Sequence, residues 1–130
     1  MKNNDYIPGK CNINSYEVEL RFRTAVLSLV ISIILLIILL IFFSNHYIRL
    51  ILTVPIFLMI LNLFQTQQKF CVFYGLKGEE NSKQDSKKSS IIKSLTSRYK
   101  DRKKSIKMII LSILITLVVN IPLVFLPNIN

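Results

Sequence analysis

The sequence has no tryptophan, three glycines, one histidine and two cysteines in 130 residues, and only seven acidic side chains against 17 basic ones. Each scarcity removes a class of chemistry. A zinc site needs three or four His, Cys or carboxylate ligands. Cys11 and Cys71 are 60 positions apart with no Cys-x-x-Cys spacing, and His46 lies in a different part of the chain. Neither a metal centre nor a redox pair is expected, and no cofactor. No phosphate-cradling glycine loop or metalloprotease helix motif is present. The acids Asp5, Glu17, Glu19, Glu79, Glu80, Asp85 and Asp101 stand mostly beside Lys or Arg, outside the apolar stretches. No base is paired with a nucleophile, and no acid within an apolar block suggests a proton relay. The chain is therefore not expected to be an enzyme, and no catalytic residue is assigned.

What the sequence has in abundance is apolar residues, 52% of the chain, gathered in blocks. Residues 25–43 carry no charge, Gly or Pro. About 20 helical residues at about 1.5 Å each span the roughly 30 Å hydrocarbon core of a bilayer. A helix apolar all round belongs in lipid or inside a large core, and 130 residues cannot wrap such a rod. Leu, Ile, Phe and Val each favour insertion by roughly 0.3–0.6 kcal/mol, so the block is favourable by several kcal/mol. It is too long for a signal-peptide core, and Ser44-Asn45-His46 is a poor cleavage site. Residues 47–64 form a second block, with Arg49 near one end, Pro55 central and Asn62 near the other. Arg49 is expected to snorkel to the headgroups and Pro55 to bend the rod. Residues 107–126 form a third block.

The expected fold is all-α: an integral membrane protein with three transmembrane helices. Residues 24–43 and 47–64 make an antiparallel hairpin through the turn 44–46, and 107–126 supply the third helix. Residues 1–23 form an N-terminal segment, 65–106 a basic loop and 127–130 a short tail. Four of the 17 basic residues lie in 1–23, twelve in 65–107, and Arg49 alone at the other side. Basic flanks stay in the cytoplasm, so the N-terminus and basic loop are expected inside and the C-terminus outside.

Within the loop, Phe70, Phe73 and Tyr74 suggest that 65–78 lies in the headgroup layer. Residues 79–90 read as a flexible linker. Ile91, Ile92, Leu95 and Tyr99 recur at helical spacing among Lys and Arg, which gives a basic amphipathic helix that can run on into the third crossing. Membrane lipids with anionic headgroups are the expected partners, each nearby cation contributing about 1 kcal/mol. A protein partner or homo-oligomer is also compatible. Nucleic acid is not expected, since no nucleic-acid module accompanies the basic run.

Five residues stand out as functional or packing positions: Cys11, Asn12, Cys71, Arg49 and Asn120. Asn120 lies about 20 Å from Lys107 along a helix, near the depth of Arg49, and the two are expected to meet and join helices two and three. Ser28 and Ser32 allow close helix packing or face lipid. Pro8-Gly9 forces a turn that could fold residues 11–14 back to meet Phe70-Cys71-Val72, with Asn12 and Asn14 capping a helix over 15–23. The preferred reading is simpler: each segment anchors its own helix.

Residues 6–23, YIPGKCNINSYEVELRFR, and Lys69 to Gly78, KFCVFYGLKG, carry a resemblance. They are similar to the Gly-x-Cys-Asn-Ile motif before the first helix, and the Phe-Cys-x-x-Tyr-Gly motif after the second, of a family of small uncharacterised bacterial membrane proteins. Asn14 departs from the Gly of that pattern, and the basic stretch after Lys77 is longer. The resemblance implies a bacterial cytoplasmic membrane and no known activity. The function expected is that of an accessory or assembly subunit. The alternatives are an oligomeric channel, transporter or holin-like pore, and a lipid-modifying enzyme.

Overall fold

The computed structural model describes residues 6–43, 45–82 and 89–127. Four α-helices carry most of the chain: α1 (Ser15–Phe42), α2 (Thr53–Gln68), the short α3 (Val72–Lys77) and α4 (Leu95–Val124). A stretch of 3-10 helix, His46–Leu52, leads into α2. The two-residue strands β1 (Glu79–Glu80) and β2 (Ser90–Ile91) pair antiparallel. Three helical segments are long and apolar enough to cross a membrane: α1, His46–Gln68 and α4.

The helices overrun the apolar blocks at one end. At about 1.5 Å per residue, the 28 residues of α1 reach about 42 Å and the 30 of α4 about 45 Å, beyond a roughly 30 Å hydrocarbon core. The surplus is Ser15–Arg23 of α1 and Leu95–Ile106 of α4. The Asn14 side chain accepts from Glu17 N at 3.0 Å, which satisfies one of the free amides at the start of α1. Asn12, the other expected cap, bonds elsewhere. The basic amphipathic stretch and the third apolar block form one unbroken helix.

The bundle is antiparallel, with α2 in the middle. α1 and α4 each pack on α2, and their backbones scarcely approach one another. Leu39, Leu52, Ile56 and Ile60 form the apolar core between the helices. The face of α4 turned inward carries Ser105, Met108, Ser112, Thr116, Asn120 and Val124, recurring every three or four residues. On α1 the buried positions include Ala25, Ser28, Ser32 and Leu39. Small side chains there let backbones come close, and packing contact is what holds helices together in an apolar solvent. Ser28 and Ser32 thus face protein, and the Ser32 hydroxyl donates to Ser28 O at 2.7 Å. The broad outer surface is Leu, Ile, Val and Phe.

Several expectations are corrected. Pro55 is central in the apolar segment His46–Gln68 but does not interrupt a helix there: α2 begins at Thr53, so Pro55 falls in its first turn, where a missing N–H breaks no intrahelical bond. Arg49 does not snorkel. It is fully buried, and one guanidinium nitrogen donates to Val124 O at 3.2 Å and to Leu126 O. Val124 is the last residue of α4 and Leu126 lies just beyond it, at the helix end where the dipole favours a cation. Residues 65–68 continue α2, so its C-terminal bound is Gln68. Phe70 and Cys71 point into the protein, not the headgroup layer, while Phe73 is exposed. Ile91 lies in β2 and Ile92 in the link before α4, so of the four apolar residues expected on the amphipathic helix only Leu95 and Tyr99 belong to it, and both are exposed. The linker is bounded by paired strands at 79–80 and 90–91, so the fold is helical with a small hairpin. The linker's centre at 83–88, Ser44 of the outer turn, tail residues 128–130 and residues 1–5 lie outside the described residues.

Candidate functional site

The polar groups that the fold gathers lie at the basic end, where the segment before α1 crosses the bundle. Gly9, at φ 71°, permits a tight turn that bonds Ile7 to Cys11 in both directions, at 2.9 and 3.0 Å. The turn delivers Asn12, fully buried, between two other segments. Its Oδ1 accepts from Cys71 N at 2.7 Å, and its Nδ2 donates to Cys71 O at 3.0 Å. Its backbone N donates to Lys69 O at 3.3 Å, and its carbonyl accepts from Asn81 N at 2.8 Å. Asn14 N donates to Asn81 O at 2.7 Å. A primary amide carries two N–H donors and a carbonyl acceptor, so one of its edges can meet both the N–H and the C=O of a single residue. Asn12 thereby acts as an additional strand partner for Cys71.

The α2–α3 corner is shaped to meet it. Lys69 ends α2 in the left-handed conformation, at φ 48°. Gln65 Oε1 accepts from Val72 N at 3.1 Å, which serves an amide at the start of α3. Glu17, nearly buried, accepts from Tyr74 Oη at 3.3 Å and Asn81 Nδ2 at 3.4 Å, and lies 3.6 Å from Arg21. Arg21 also reaches Cys71 Sγ at 3.3 Å. Burial pushes the Tyr74 hydroxyl up, with the Glu17 charge adding to it.

A third fastening runs to the protruding part of α4. Asp101 is fully buried and accepts from Gly9 N at 2.6 Å and Tyr6 Oη at 2.9 Å. Desolvation by burial holds its carboxyl above the usual range, opposed by the Gly9 amide, the Tyr6 hydroxyl and the charge of Lys104. The Tyr6 hydroxyl is pushed up in turn, first by burial and then by Asp101. Lys104 donates to Lys10 O at 2.9 Å and lies 4.6 Å from the centre of the Phe70 ring. Burial lowers its ammonium pKa.

The structure brings Cys11, Asn12 and Cys71 into one junction, against the preferred reading that each segment serves only its own helix. Both cysteines are buried free thiols, and Cys11 Sγ lies 3.6 Å from Ile13 O. Arg49 and Asn120 both lie at the opposite end, and among the described residues no hydrogen bond joins their side chains. Asn120 Nδ2 donates to Thr53 Oγ1 at 2.5 Å, and its Oδ1 accepts nothing among the described residues. Both residues join helices two and three, each through its own partner.

Sequence reasoning missed Asp101, Asn81, Gln65 and Glu17. Two left a signal. Glu17 stands three residues after Asn14, at capping spacing, and Asp101 is the lone acid in the run from Arg98 to Lys107. Among the described residues, no group of three or more His, Cys, Asp or Glu side chains converges as a metal site would require.

Fold and junction together define a class: a helical protein with three apolar, membrane-length helices and a hydrogen-bonded cap at its basic end. No protein-family model, curated protein or solved structure matches the chain.

Proposed function

We propose that the protein is a multi-pass membrane accessory or assembly subunit whose basic end faces the cytoplasm and rests on anionic lipid. One observation carries this reading: the exposed charge of the cap is mostly cationic. Lys10, Lys77, Lys93, Lys100, Arg102, Lys103 and Lys107 are exposed, whereas among the described acids Glu17 and Asp101 are buried, Glu79 and Glu80 half-buried, and Glu19 exposed beside Arg23. Phe73, Leu76, Ile91, Leu95 and Tyr99 are exposed among them. Cations interleaved with apolar and aromatic side chains suit the boundary between headgroups and acyl chains. A cap tied at Asn12 and Asp101 also gives a partner a surface of fixed shape.

The two motifs that resemble the small bacterial membrane proteins are the two halves of this junction, which supports a structural purpose for both. A pore built from several copies is less favoured. Ser28, Ser32, Asn62, Ser112, Thr116 and Asn120 all turn inward within one chain. An oligomeric channel would need such groups on the outer face.

The test is purification of the full chain from native membranes in a mild detergent. A larger protein recovered in fixed stoichiometry is the expected result. Recovery of this chain alone, with ion conductance after reconstitution in liposomes, would overturn the reading.

A further inference from the structure

Between the protruding part of α4 and the turn before α1 lies a groove of about 580 Å³. Its lining includes Lys10, Lys100, Lys103, Lys104 and Lys107, with Gln68 from the end of α2 and no carboxylate. Asp101 is turned away, held by Gly9 and Tyr6. Met108 and Leu111 continue the same wall into the apolar block. The volume falls within the roughly 300–1,000 Å³ usual for small-ligand sites.

We infer that this groove binds the headgroup phosphate of one anionic phospholipid, with its acyl chains lying along Met108 and Leu111. The inference rests on the lipid-docking reading above and narrows it from a surface to a site. Four of the lysines stand at positions 100, 103, 104 and 107 of one helix, so they share a face. Lys100 to Lys107 covers about 10 Å along α4, and Leu111 lies about 6 Å further. The groove therefore changes from cationic to apolar along its length, in the same sense as a lipid passes from phosphate to hydrocarbon. A soluble phosphate would use only its cationic half. Lys10 comes from the segment fastened by Asn12 and Asp101, so the two walls are held at fixed separation. Lys104 is already engaged by Lys10 O and the Phe70 ring. Lys103 and Lys107 are exposed and available to the ligand.

The test is native mass spectrometry of the full chain in detergent, titrated with phosphatidylglycerol, phosphatidylcholine or inorganic phosphate. Phosphatidylglycerol is expected to bind in preference to phosphatidylcholine, with a large excess of inorganic phosphate failing to displace it. The double variant K103Q/K107Q should weaken phosphatidylglycerol binding about tenfold or more, while R23Q/K69Q, which removes the same charge at two exposed positions outside the groove, leaves it within about twofold. Equal loss in both variants would overturn the site and leave the general docking reading standing. No preference for anionic lipid in any protein would overturn both. Binding of inorganic phosphate with no lipid preference would overturn the assignment to lipid. Should K103Q/K107Q fail to fold, a photoactivatable phosphatidylglycerol on the unaltered protein decides: label within residues 100–111 supports the site, and label only elsewhere overturns it.

Discussion

Replacing Asn12 by alanine leaves the amide of Cys71 buried without its partner, while the Cys71 carbonyl still accepts from Gly75 N. One such group costs about 1–3 kcal/mol, and a loss of that order is expected, read from unfolding in mixed micelles. At Asp101 the effect depends on pH. Burial raises its folded pKa above the ordinary 3.8, so ionisation disfavours the folded state. The contribution of Asp101 improves as pH falls through the folded pKa and levels off below the ordinary value. Asparagine keeps an acceptor for Gly9 N, and the Tyr6 hydroxyl can accept from its new amide. Asp101→Asn should therefore be more stable relative to the native protein near about pH 7 than near about pH 4. Melting temperatures of both proteins at the two pH values check this, and an unchanged difference would contradict it.

At the scale of elements, α3 meets α4 through Gly75. A Cβ there would collide with Ser105 Oγ and stand 2.8 Å from the Phe70 ring. Gly75→Ala is expected to destabilise by about 1–3 kcal/mol, with partial recovery when Ser105→Ala is added. At the other end, Asn120 and Thr53 should show coupling of about 0.6–1.7 kcal/mol in a double-mutant cycle. Arg49 and Asn120 should be close to additive, since their hydrogen bonds go to different partners. The apolar blocks were legible because lipid imposes length and composition on any helix that crosses it. The continuation of α4 was legible because no helix breaker stands between Leu95 and Lys107. The position of Pro55 was not, because the 3-10 stretch before it leaves no mark in composition. The Asn12–Cys71 contact was half legible: the Pro8-Gly9 turn raised it, but nothing local excluded two independent anchors. Asn81 was illegible because its partners lie far away in sequence and a polar residue in a polar loop gives no sign of burial; Asp101 stood out only as a lone acid, with nothing to name its distant partners.

For the whole molecule, the proposed orientation follows from the gathering of basic residues at one end. A reporter fused ahead of Met1 is expected on the cytoplasmic face and one fused after Asn130 on the opposite face; a shared face would contradict the three-crossing topology. In the proposed docking on anionic lipid most of the chain's cations act at once, and raised salt is expected to weaken lipid binding in the same mass-spectrometric titration.

The span of the N-terminal fastening also bears on biosynthesis. Tyr6 and Gly9 bond to a residue 95 and 92 positions later. As the ribosome extends the chain, α1 and α2 are complete before this segment has a partner. Lys69 and Cys71 emerge first, Asn81 next and Asp101 last, so the partners of the latch become available in three stages. Until the third, a nascent chain carries an open end, and a chaperone or an assembly partner has its longest interval to engage it.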